Sequence, residues 1–286
     1  MADFEVMSNA EYRQKEGISA SDLKKMMKCM ALWKYFADNP EENGDSPALK
    51  FGRAFHKYCL EPYDFANEYI VSPKFDRRTK EGKAQAEAFE KEAAGKEIID
   101  EETFDKLQKM QEVMYSTPYV KRLISGEHEK SYFWIDEDTG VKCKCRTDSF
   151  GSIGSMDIIC DIKTTKNAET QAFMRDALKY GYDVQAAHYI EGMKAATGKD
   201  YKFIFICQET IAPYLVNVLE CDDYFIQNGM EVRKQLLQTY KKCLEIGEFP
   251  GLMGFAEDKN IANTLTVPKW IADAIDSESE VEDADE

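Results

Sequence analysis

The sequence of 286 residues contains no long apolar run: no stretch approaches the roughly 18 uninterrupted apolar residues of a membrane-spanning helix. Its opening residues, MADFEVMSNAEYRQK, lack the basic segment followed by an apolar segment that marks a secretory signal. An internal repeat and a glycine-rich phosphate loop are also missing. These absences argue against a membrane or secreted protein, and we expect a cytoplasmic location with no membrane partner.

Paired metal-binding cysteines are missing as well. Cysteine occurs eight times, at positions 29, 59, 143, 145, 160, 207, 221 and 243, mostly within apolar segments. In a reducing compartment such residues pack as small buried hydrophobic groups rather than as disulfides. The single Cys143-x-Cys145 sequence has no second pair, so we expect no zinc site.

Positive charge is scarce. The chain has 53 acidic against 37 basic residues and a formal net charge of −16, and its last ten residues, SESEVEDADE, include six acids and no base. This balance argues against tight non-specific binding of nucleic acid. An enzyme that passes DNA across one site nevertheless needs only a local basic strip, and acidic outer walls can reduce unproductive binding.

The segment Lys142–Lys166 has the clearest pattern in the chain. Apolar and basic residues alternate from 141 to 146, as in a half-buried strand, and Asp148 lies just beyond. After a turn rich in glycine and serine at 151–155, the apolar run 158–160 is typical of a strand buried on both faces. That run ends on Asp161 and Lys163, which project to the same face because they are two residues apart. If the strands pair across the turn, Asp148 can face Asp161.

Two carboxylates placed in this way can hold one or two hard cations by oxygen, which Mg²⁺ prefers. The metal lowers the pKa of a bound water and neutralises charge on a phosphate. A neighbouring lysine can orient or deprotonate that water, or stabilise the charged transition state. The alternative is that Asp161 and Lys163 form a surface ion pair at the end of a strand.

Five ordered elements together resemble the PD-(D/E)XK nuclease superfamily, in the branch of RecB-type domains and phage RecE-like exonucleases. The resemblance covers about 18–218 and rests on the following residues: His56 on the helix FGRAFH, Glu129 before the core, Asp148, the Asp161-Ile162-Lys163 tripeptide, and Gln185 and Tyr189 of a Q-x-x-x-Y motif. It places the protein in a bacterial cell or a phage-infected host.

The resemblance implies a role for each of these residues. Asp148 and Asp161 would bind one or two Mg²⁺ or Mn²⁺ ions, and His56 and the backbone carbonyl of Ile162 would complete the shell. Lys163 would activate or position the attacking water.

Three of the residues, Tyr189, Glu129 and His56, have alternatives that the sequence leaves open. Gln185 and Tyr189 would support the geometry of the site, and the alternative is a helix that packs Tyr189 into the core. Glu129 is a further candidate ligand or an exposed carboxylate at the end of a strand. His56, without the resemblance, is a hydrogen-bonded core histidine.

Some relatives of the RecB type carry an iron–sulfur cluster held by one early and three closely spaced late cysteines. Here Cys207, Cys221 and Cys243 are too scattered for that pattern, so we expect no cluster.

Basic residues near the predicted site are candidates for DNA contact. The loop 72–82 contains Arg77 and Arg78, and guanidinium groups suit phosphate oxygens. Arg53, Arg146 and Lys166 are further candidates. The alternative for the loop is a solvated run of charge beside a helix.

The fold class expected is α/β: a restriction-endonuclease-like mixed central sheet flanked by helices, with an N-terminal helical subregion. A length of 286 residues with 43% hydrophobic residues allows one large core. We predict one exonuclease domain over 1–275, comprising a mainly helical part (1–125), a catalytic sheet core (126–220) and C-terminal helices (221–275). The acidic tail, 276–286, is predicted to be disordered.

Local patterns predict individual helices. One begins at Ser19 or Ser21, and its apolar stripe of methionines continues through Phe36. Another, 225–247, turns Val232, Leu236, Leu237 and Leu244 inward, and Trp270 with Ile271 anchors a last helix.

The resemblance implies a metal-dependent exonuclease that degrades one strand of linear double-stranded DNA in the 5′ to 3′ direction. It also implies a ring of three or four subunits around the DNA and a single-strand annealing protein as partner. The alternatives are a structure-specific endonuclease or end-trimming nuclease with the same core, a catalytically silent DNA-binding module, or a structural assembly protein.

Overall fold

A computed structural model describes residues 3–5, 7–42, 44, 46–255, 262–269 and 271–273. The strands are β1 Asp3–Glu5, β2 Tyr69–Ser72, β3 Glu97–Asp100, β4 Glu127–Ile135, β5 Lys142–Ile153, β6 Met156–Thr165, β7 Lys202–Glu209 and β8 Val216–Glu220. The helices are α1 Asn9–Gln14, α2 Ala20–Met26, α3 Met30–Asp38, α4 Pro47–Leu60, α5 Pro62–Glu68, α6 Lys80–Glu92, α7 Glu101–Ser116, α8 Pro118–Leu123, α9 Thr170–Lys179, α10 Tyr182–Thr197 and α11 Asp223–Ile246. No helix in the described part of the chain combines the length and the apolar composition that crossing a bilayer demands.

The central sheet has six strands in the order β1-β4-β5-β6-β7-β8. All neighbours are antiparallel except β6 and β7, which are parallel and are joined through α9 and α10. The sheet is therefore mixed and flanked by helices, as predicted. The short strands β2 and β3 form a separate parallel pair in the helical part, which the sequence patterns did not predict.

Both faces of the sheet are covered. On β6, Ile159 packs into the cluster that includes residues of α2, α9, α10 and α11, whereas Ile158, Cys160 and Ile162 pack into the cluster built with α4, α7 and α8. This double burial explains why the run 158–160 is continuously apolar. Asp161 shares the α10 side with Ile159, because residues two apart on a strand project to the same face.

Strands β5 and β6 pair only near their turn. Their ladder runs from Ile153–Met156 to Ser149–Cys160 and ends there. Beyond that point β5 continues beside β4 and β6 continues beside β7, so the two strands separate into a fork. The free edge of β5 pairs instead with the N-terminal segment, where Ile18 forms a parallel bridge with Cys143. The fork begins at the level of Asp148 and Asp161.

The N-terminal segment forms two helices, α2 and α3, where the sequence predicted one continuous apolar stripe. Ser19 is the N-cap of α2, and its hydroxyl accepts from the N–H of Asp22 in a capping box. The helix ends at Met26, Met27 is 38% exposed instead of inward, and α3 begins again at Met30. Three consecutive residues, 27–29, absorb the change of direction between the two helices.

Two further details differ from the sequence predictions, and two lie outside the described residues. The strand β5 extends through Ile153, so Asp148 lies inside it rather than beyond it. Leu244 was predicted to face inward, but it is 55% exposed because it lies on the outer face of α11, whereas its neighbour Cys243 is buried in the core. The side chain of Trp270 and the acidic tail 276–286 fall outside the described residues, and the division into subregions stays a prediction.

A buried polar network ties α10 and α11 to the sheet. Arg233 donates from Nε to Nδ1 of His188 at 3.2 Å and from Nη2 to Asp136 at 2.8 Å. The Nε2 atom of His188 lies 3.2 Å from the carbonyl oxygen of Ile18 and 3.1 Å from that of Lys144. Burial and the nearby guanidinium lower the pKa of His188 to about 3, so the ring is neutral and donates from Nε2. His188 therefore links the N-terminal segment, at Ile18, to β5, at Lys144.

Replacement of Arg233 by methionine should lower the free energy of unfolding by about 3–5 kcal/mol, because it leaves the buried Asp136 carboxylate without its cation. Both side chains are nearly inaccessible, at 6% and 9% exposed. Chemical denaturation measures the change. The matched control is Lys234→Met, whose partner Asp138 is 3.7 Å away in an exposed pair, and which should change stability by less than about 1 kcal/mol. Equal effects of the two variants would contradict this prediction.

Candidate active site

His56 reaches the fork from α4. A glycine one turn earlier allows the helix to approach β6, since a Cβ on Gly52 would lie 3.3 Å from Oγ1 of Thr164. The Nδ1 atom of His56 lies 3.2 Å from Oδ2 of Asp148. Burial by itself lowers the pKa of His56, but the adjacent Asp148 carboxylate, with Asp161, raises it to about 9. The imidazole and the carboxylate thus form a close, partly buried pair.

Asp148 occupies the opening of the fork. Its Oδ2 atom accepts a hydrogen bond from the N–H of Ile162 at 2.8 Å, which satisfies a backbone donor that β5 no longer pairs. Burial raises the pKa of the Asp148 carboxyl, but His56, Lys163 and the Ile162 N–H outweigh it and hold the pKa below its usual range. The Asp148 carboxylate is therefore held in place by α4, through His56, and by β6, through the Ile162 N–H.

Glu129 lies opposite Asp148 across β4 and β5, between the paired residues on either side. Its φ of 52° places it in the left-handed region, which is uncommon for a non-glycine residue. The Nε atom of Arg146 donates to the Glu129 carboxylate at 2.5 Å. Burial, with the neighbouring Asp148 charge, raises the pKa of Glu129 to about 7. Glu129 therefore reaches the site rather than solvent.

Arg146 faces the protein interior, whereas the sequence predicted a DNA contact. Its side chain is 10% exposed, and besides Glu129 it donates from Nη1 to the carbonyl oxygen of Met7 at 2.6 Å. The physical reason is that the N-terminal segment covers this face of β5, where its carbonyl oxygens accept from both Lys144 and Arg146. In the structure, Arg146 orients Glu129.

Three ligand atoms, one each from His56, Glu129 and Asp148, lie within 4.8 Å of one another. One imidazole nitrogen and two carboxylate oxygens suit a divalent cation such as Mn²⁺ or Mg²⁺. Asp161 is not in this group; its buried Oδ2 atom is in an ion pair with Lys163. A buried carboxylate beside such a group can still serve as an additional oxygen ligand for a hard cation. The group thus brings together three of the predicted metal ligands, including the further candidate Glu129, and leaves Asp161 outside it.

Asp161 and Lys163 meet on the α10 side of β6, as their spacing predicts. They form an ion pair, and Nε2 of Gln185 donates to Oδ1 of Asp161 at 2.5 Å. Burial keeps the pKa of Asp161 above its usual range, with Asp148 adding to the effect and Lys163 opposing it. Burial lowers the pKa of Lys163, but Asp161 and Asp148 raise it above its usual value, so the ammonium remains charged.

Tyr189 follows Gln185 by one helical turn, but its contacts are with the core. Its ring centroid lies 6.1 Å from that of Phe203. Burial raises the pKa of its hydroxyl well above the usual value. The contact of Tyr189 with Phe203 is the one expected if Tyr189 packs into the core. Gln185, by contrast, contacts Asp161 of the site directly. The carbonyl of Ile162 belongs to β6, where Ile162 is in register with Ile206 of β7.

Two residues at the site were not predicted from the sequence. Nζ of Lys24, from α2, donates to Oε1 of Gln185 at 2.5 Å. The ring of Tyr182 lies between two ammonium groups, 4.7 Å from Lys24 and 4.9 Å from Lys163, centroid to nitrogen. Burial, with the Lys163 charge, lowers the pKa of Lys24 to about 7. In sequence, Lys24 is merely a lysine beside an apolar helix stripe, which usually extends to solvent.

The other basic residues predicted to contact DNA lie on the surface to different degrees. Arg77 is 66% exposed and pairs with Glu90 at 2.9 Å, and Arg78 is exposed beside it. Arg53, one turn before His56, pairs with Glu97 at 3.2 Å. Lys166 is exposed directly after β6. Of these, Lys166 and Arg53 are close in sequence to site residues.

The fold is similar to that of a solved structure. The crystal structure of a candidate exonuclease from Eubacterium rectale superimposes with a TM-score of 0.62 and 17% identity, over 92% of this chain and 96% of that chain. A second structure, SSO0001, has 15% identity over 65% of this chain and 85% of that chain, with a TM-score of 0.28 that supports no conclusion. No curated protein matches the chain.

The family comparison covers most of the sequence. The model of the PDDEXK-like domain of unknown function (DUF3799) matches residues 19–258, a range that contains every catalytic and metal-binding candidate described above. The likeness to the solved structure is a likeness of fold. The chain therefore belongs to the family of PDDEXK-like domains, within the PD-(D/E)XK superfamily that its motifs resemble.

Proposed function

We propose that the protein is a metal-dependent DNA exonuclease. It degrades one strand of linear double-stranded DNA, processively and in the 5′ to 3′ direction, and leaves single-stranded DNA for recombination of the phage type. One observation carries the proposal: the His56, Glu129 and Asp148 ligand atoms gather within 4.8 Å at a fork in the sheet, next to Asp161 and Lys163. The similarity to a candidate exonuclease supports it.

His56, Glu129 and Asp148 would hold Mg²⁺ or Mn²⁺, one ion or two, with Asp161 as a further oxygen donor. When bound, such an ion lowers the pKa of a coordinated water and neutralises charge on the phosphate. An imidazole ligand suits Mn²⁺ better than Mg²⁺.

Lys163 contributes a positive charge and does not act as a general base. Because Asp161 and Asp148 raise the pKa of its ammonium, Lys163 stays protonated at neutral pH and can donate to a phosphate oxygen or to the attacking water. Gln185 holds the other oxygen of Asp161, which leaves Oδ2 directed toward Lys163. The chain therefore supplies an oriented carboxylate and a fixed cation on the same side of the fork.

The proposal includes partners that follow from the resemblance. A ring of three or four subunits would enclose the duplex, and a single-strand annealing protein would coat the strand that is exposed. Light scattering on the purified chain of 32.8 kDa tests the ring directly. A monomer at all concentrations would remove the ring from the proposal and would leave the nuclease chemistry unaffected.

Digestion of end-labelled linear duplex tests the function. We expect loss of linear DNA in Mg²⁺ or Mn²⁺, no loss in EDTA, and release of the 5′ label before the 3′ label. A covalently closed circle should stay intact, and Asp148→Asn protein purified in parallel controls for contaminating nucleases.

Three outcomes would contradict the proposal in different ways. Cut circles would favour a structure-specific endonuclease with the same core. Early release of the 3′ label would reverse the polarity. Folded protein that binds DNA without cleaving it in either metal would indicate a silent DNA-binding module.

A further inference from the structure

We propose that Lys24 is a positioning residue that fixes the side-chain amide of Gln185 and, through it, the carboxylate of Asp161. The consequence for catalysis rests on the nuclease function proposed above. The contacts themselves do not depend on it. Lys24 donates to Oε1 of Gln185 at 2.5 Å, and Nε2 of Gln185 donates to Oδ1 of Asp161, also at 2.5 Å.

The order of these groups favours one orientation of the amide. A lysine ammonium has donors only, and an ionised carboxylate has acceptors only. A reversed Gln185 amide would place its NH₂ against the ammonium and its oxygen against the carboxylate, so both contacts would become repulsive. With Gln185 only 4% exposed, solvent cannot replace either partner. Lys24 and Asp161 together therefore set the amide.

The approach of Lys24 is built into the packing of α2 against the start of α10. Gly181 has a φ of +66°, and a Cβ there would lie 2.5 Å from Sδ of Met27 and 3.4 Å from Cγ of Lys24. The missing side chain leaves room for the stem of Lys24. Tyr182, the next residue, places its ring 4.7 Å from the ammonium, which stabilises a partly desolvated cation.

Lys24 acts on Asp161 indirectly, through Gln185. Gln185 occupies Oδ1, so Oδ2 is the oxygen presented to Lys163. Without Lys24, Oε1 of Gln185 loses its donor and the amide can turn, which frees Asp161 to change rotamer. A small displacement of a group that orients the reacting atoms lowers kcat more than it weakens substrate binding.

The variant for the test is Lys24→Met, which keeps the stem and removes the ammonium. The matched control is Lys25→Met, because Lys25 is adjacent on α2 but lies over the ring of Phe36, 5.3 Å from its centroid. Melting temperatures of all variants identify any general loss of structure. Lys24→Arg restores a cation that can donate to the same carbonyl.

The first measurement does not require cleavage. The ¹H–¹⁵N signals of the Gln185 side-chain amide are assigned by their disappearance in Gln185→Met. We expect Lys24→Met to shift these signals and to speed their hydrogen exchange, and Lys25→Met to leave both unchanged. Unchanged signals in Lys24→Met would overturn the inference, even if the protein proves not to be a nuclease.

The second measurement separates positioning from DNA contact. In Lys24→Met, kcat should fall by about 10- to 100-fold with KM for DNA nearly unchanged, and Lys24→Arg should recover most of the loss. Adding Lys24→Met to Gln185→Met should cause no further fall, since Lys24 acts through Gln185. A raised KM with a lower salt dependence, or an additive double variant, would instead place Lys24 on a phosphate. Absence of cleavage by the unmodified chain would reject the nuclease and leave the amide measurement to decide Lys24.

Discussion

Asp148→Asn should abolish metal-dependent cleavage and weaken Mn²⁺ binding by at least about 100-fold, because it removes one of the two carboxylates in the group with His56 and Glu129. Loss of metal assistance worth several kcal/mol corresponds to a fall in rate of at least about a thousandfold. The asparagine oxygen can still accept from the Ile162 N–H, so the fork should keep its shape. Calorimetric titration with Mn²⁺ and cleavage of labelled duplex measure the two effects.

Asp157→Asn is the matched control for this variant. Asp157 lies on β6, four residues before Asp161, and its carboxylate pairs with Lys199 at 3.1 Å away from the site. We expect wild-type Mn²⁺ affinity and wild-type cleavage from this control. An Asp148→Asn protein that binds Mn²⁺ as tightly as the control would show that the ligand group is elsewhere.

Lys163→Ala should lower kcat by at least about 10²–10³-fold while the protein remains folded and binds metal, because it deletes a preorganised cation at the reacting phosphate. Mn²⁺ affinity should stay the same or increase, since a positive charge beside Asp161 is removed. Asp161 keeps the Gln185 amide as a hydrogen-bond donor, which limits the cost to stability. Single-turnover cleavage and Mn²⁺ titration on the same preparation test the prediction.

Lys166→Ala is its matched control, being the next lysine along the chain and exposed directly after β6. It should reduce cleavage far less and should act, if at all, on KM through a phosphate contact. If Lys163→Ala retains full kcat, Lys163 has no role in the chemical step.

The central hairpin could be predicted from sequence because its information is local. Alternation over 141–146 and the apolar run 158–160 each predict a strand, although the basic positions Lys144 and Arg146 prove nearly as buried as the apolar ones, and the two-residue spacing puts Asp161 and Lys163 on one face. The helix with Gln185 is likewise a local pattern, bounded in the structure by left-handed glycines at 181 and 198. Errors at this level are small: helix ends moved by a few residues, and one apolar stripe became α2 and α3.

The membership of the site could be predicted only in part. His56 and Asp148 were expected to share a site, and the structure brings them to 3.2 Å. Glu129 was left open between ligand and surface, because a left-handed residue within a strand has no reliable sequence signature. Arg146 was assigned to DNA contact because a pattern within one strand does not show that the N-terminal segment covers that side chain.

The sequence by itself determined the catalytic hairpin, since periodicity and spacing act over a few residues, and its resemblance to a known family indicated the fold class and the site residues. Tertiary structure alone decided that β5 and β6 separate at Asp148, because that depends on Ile18 pairing with the edge of β5 from more than a hundred positions away. It also decided that Lys24 reaches Gln185, which requires α2 to pack on the glycine at 181. Such contacts depend on how distant elements approach one another, and a residue pattern within one element does not encode that approach.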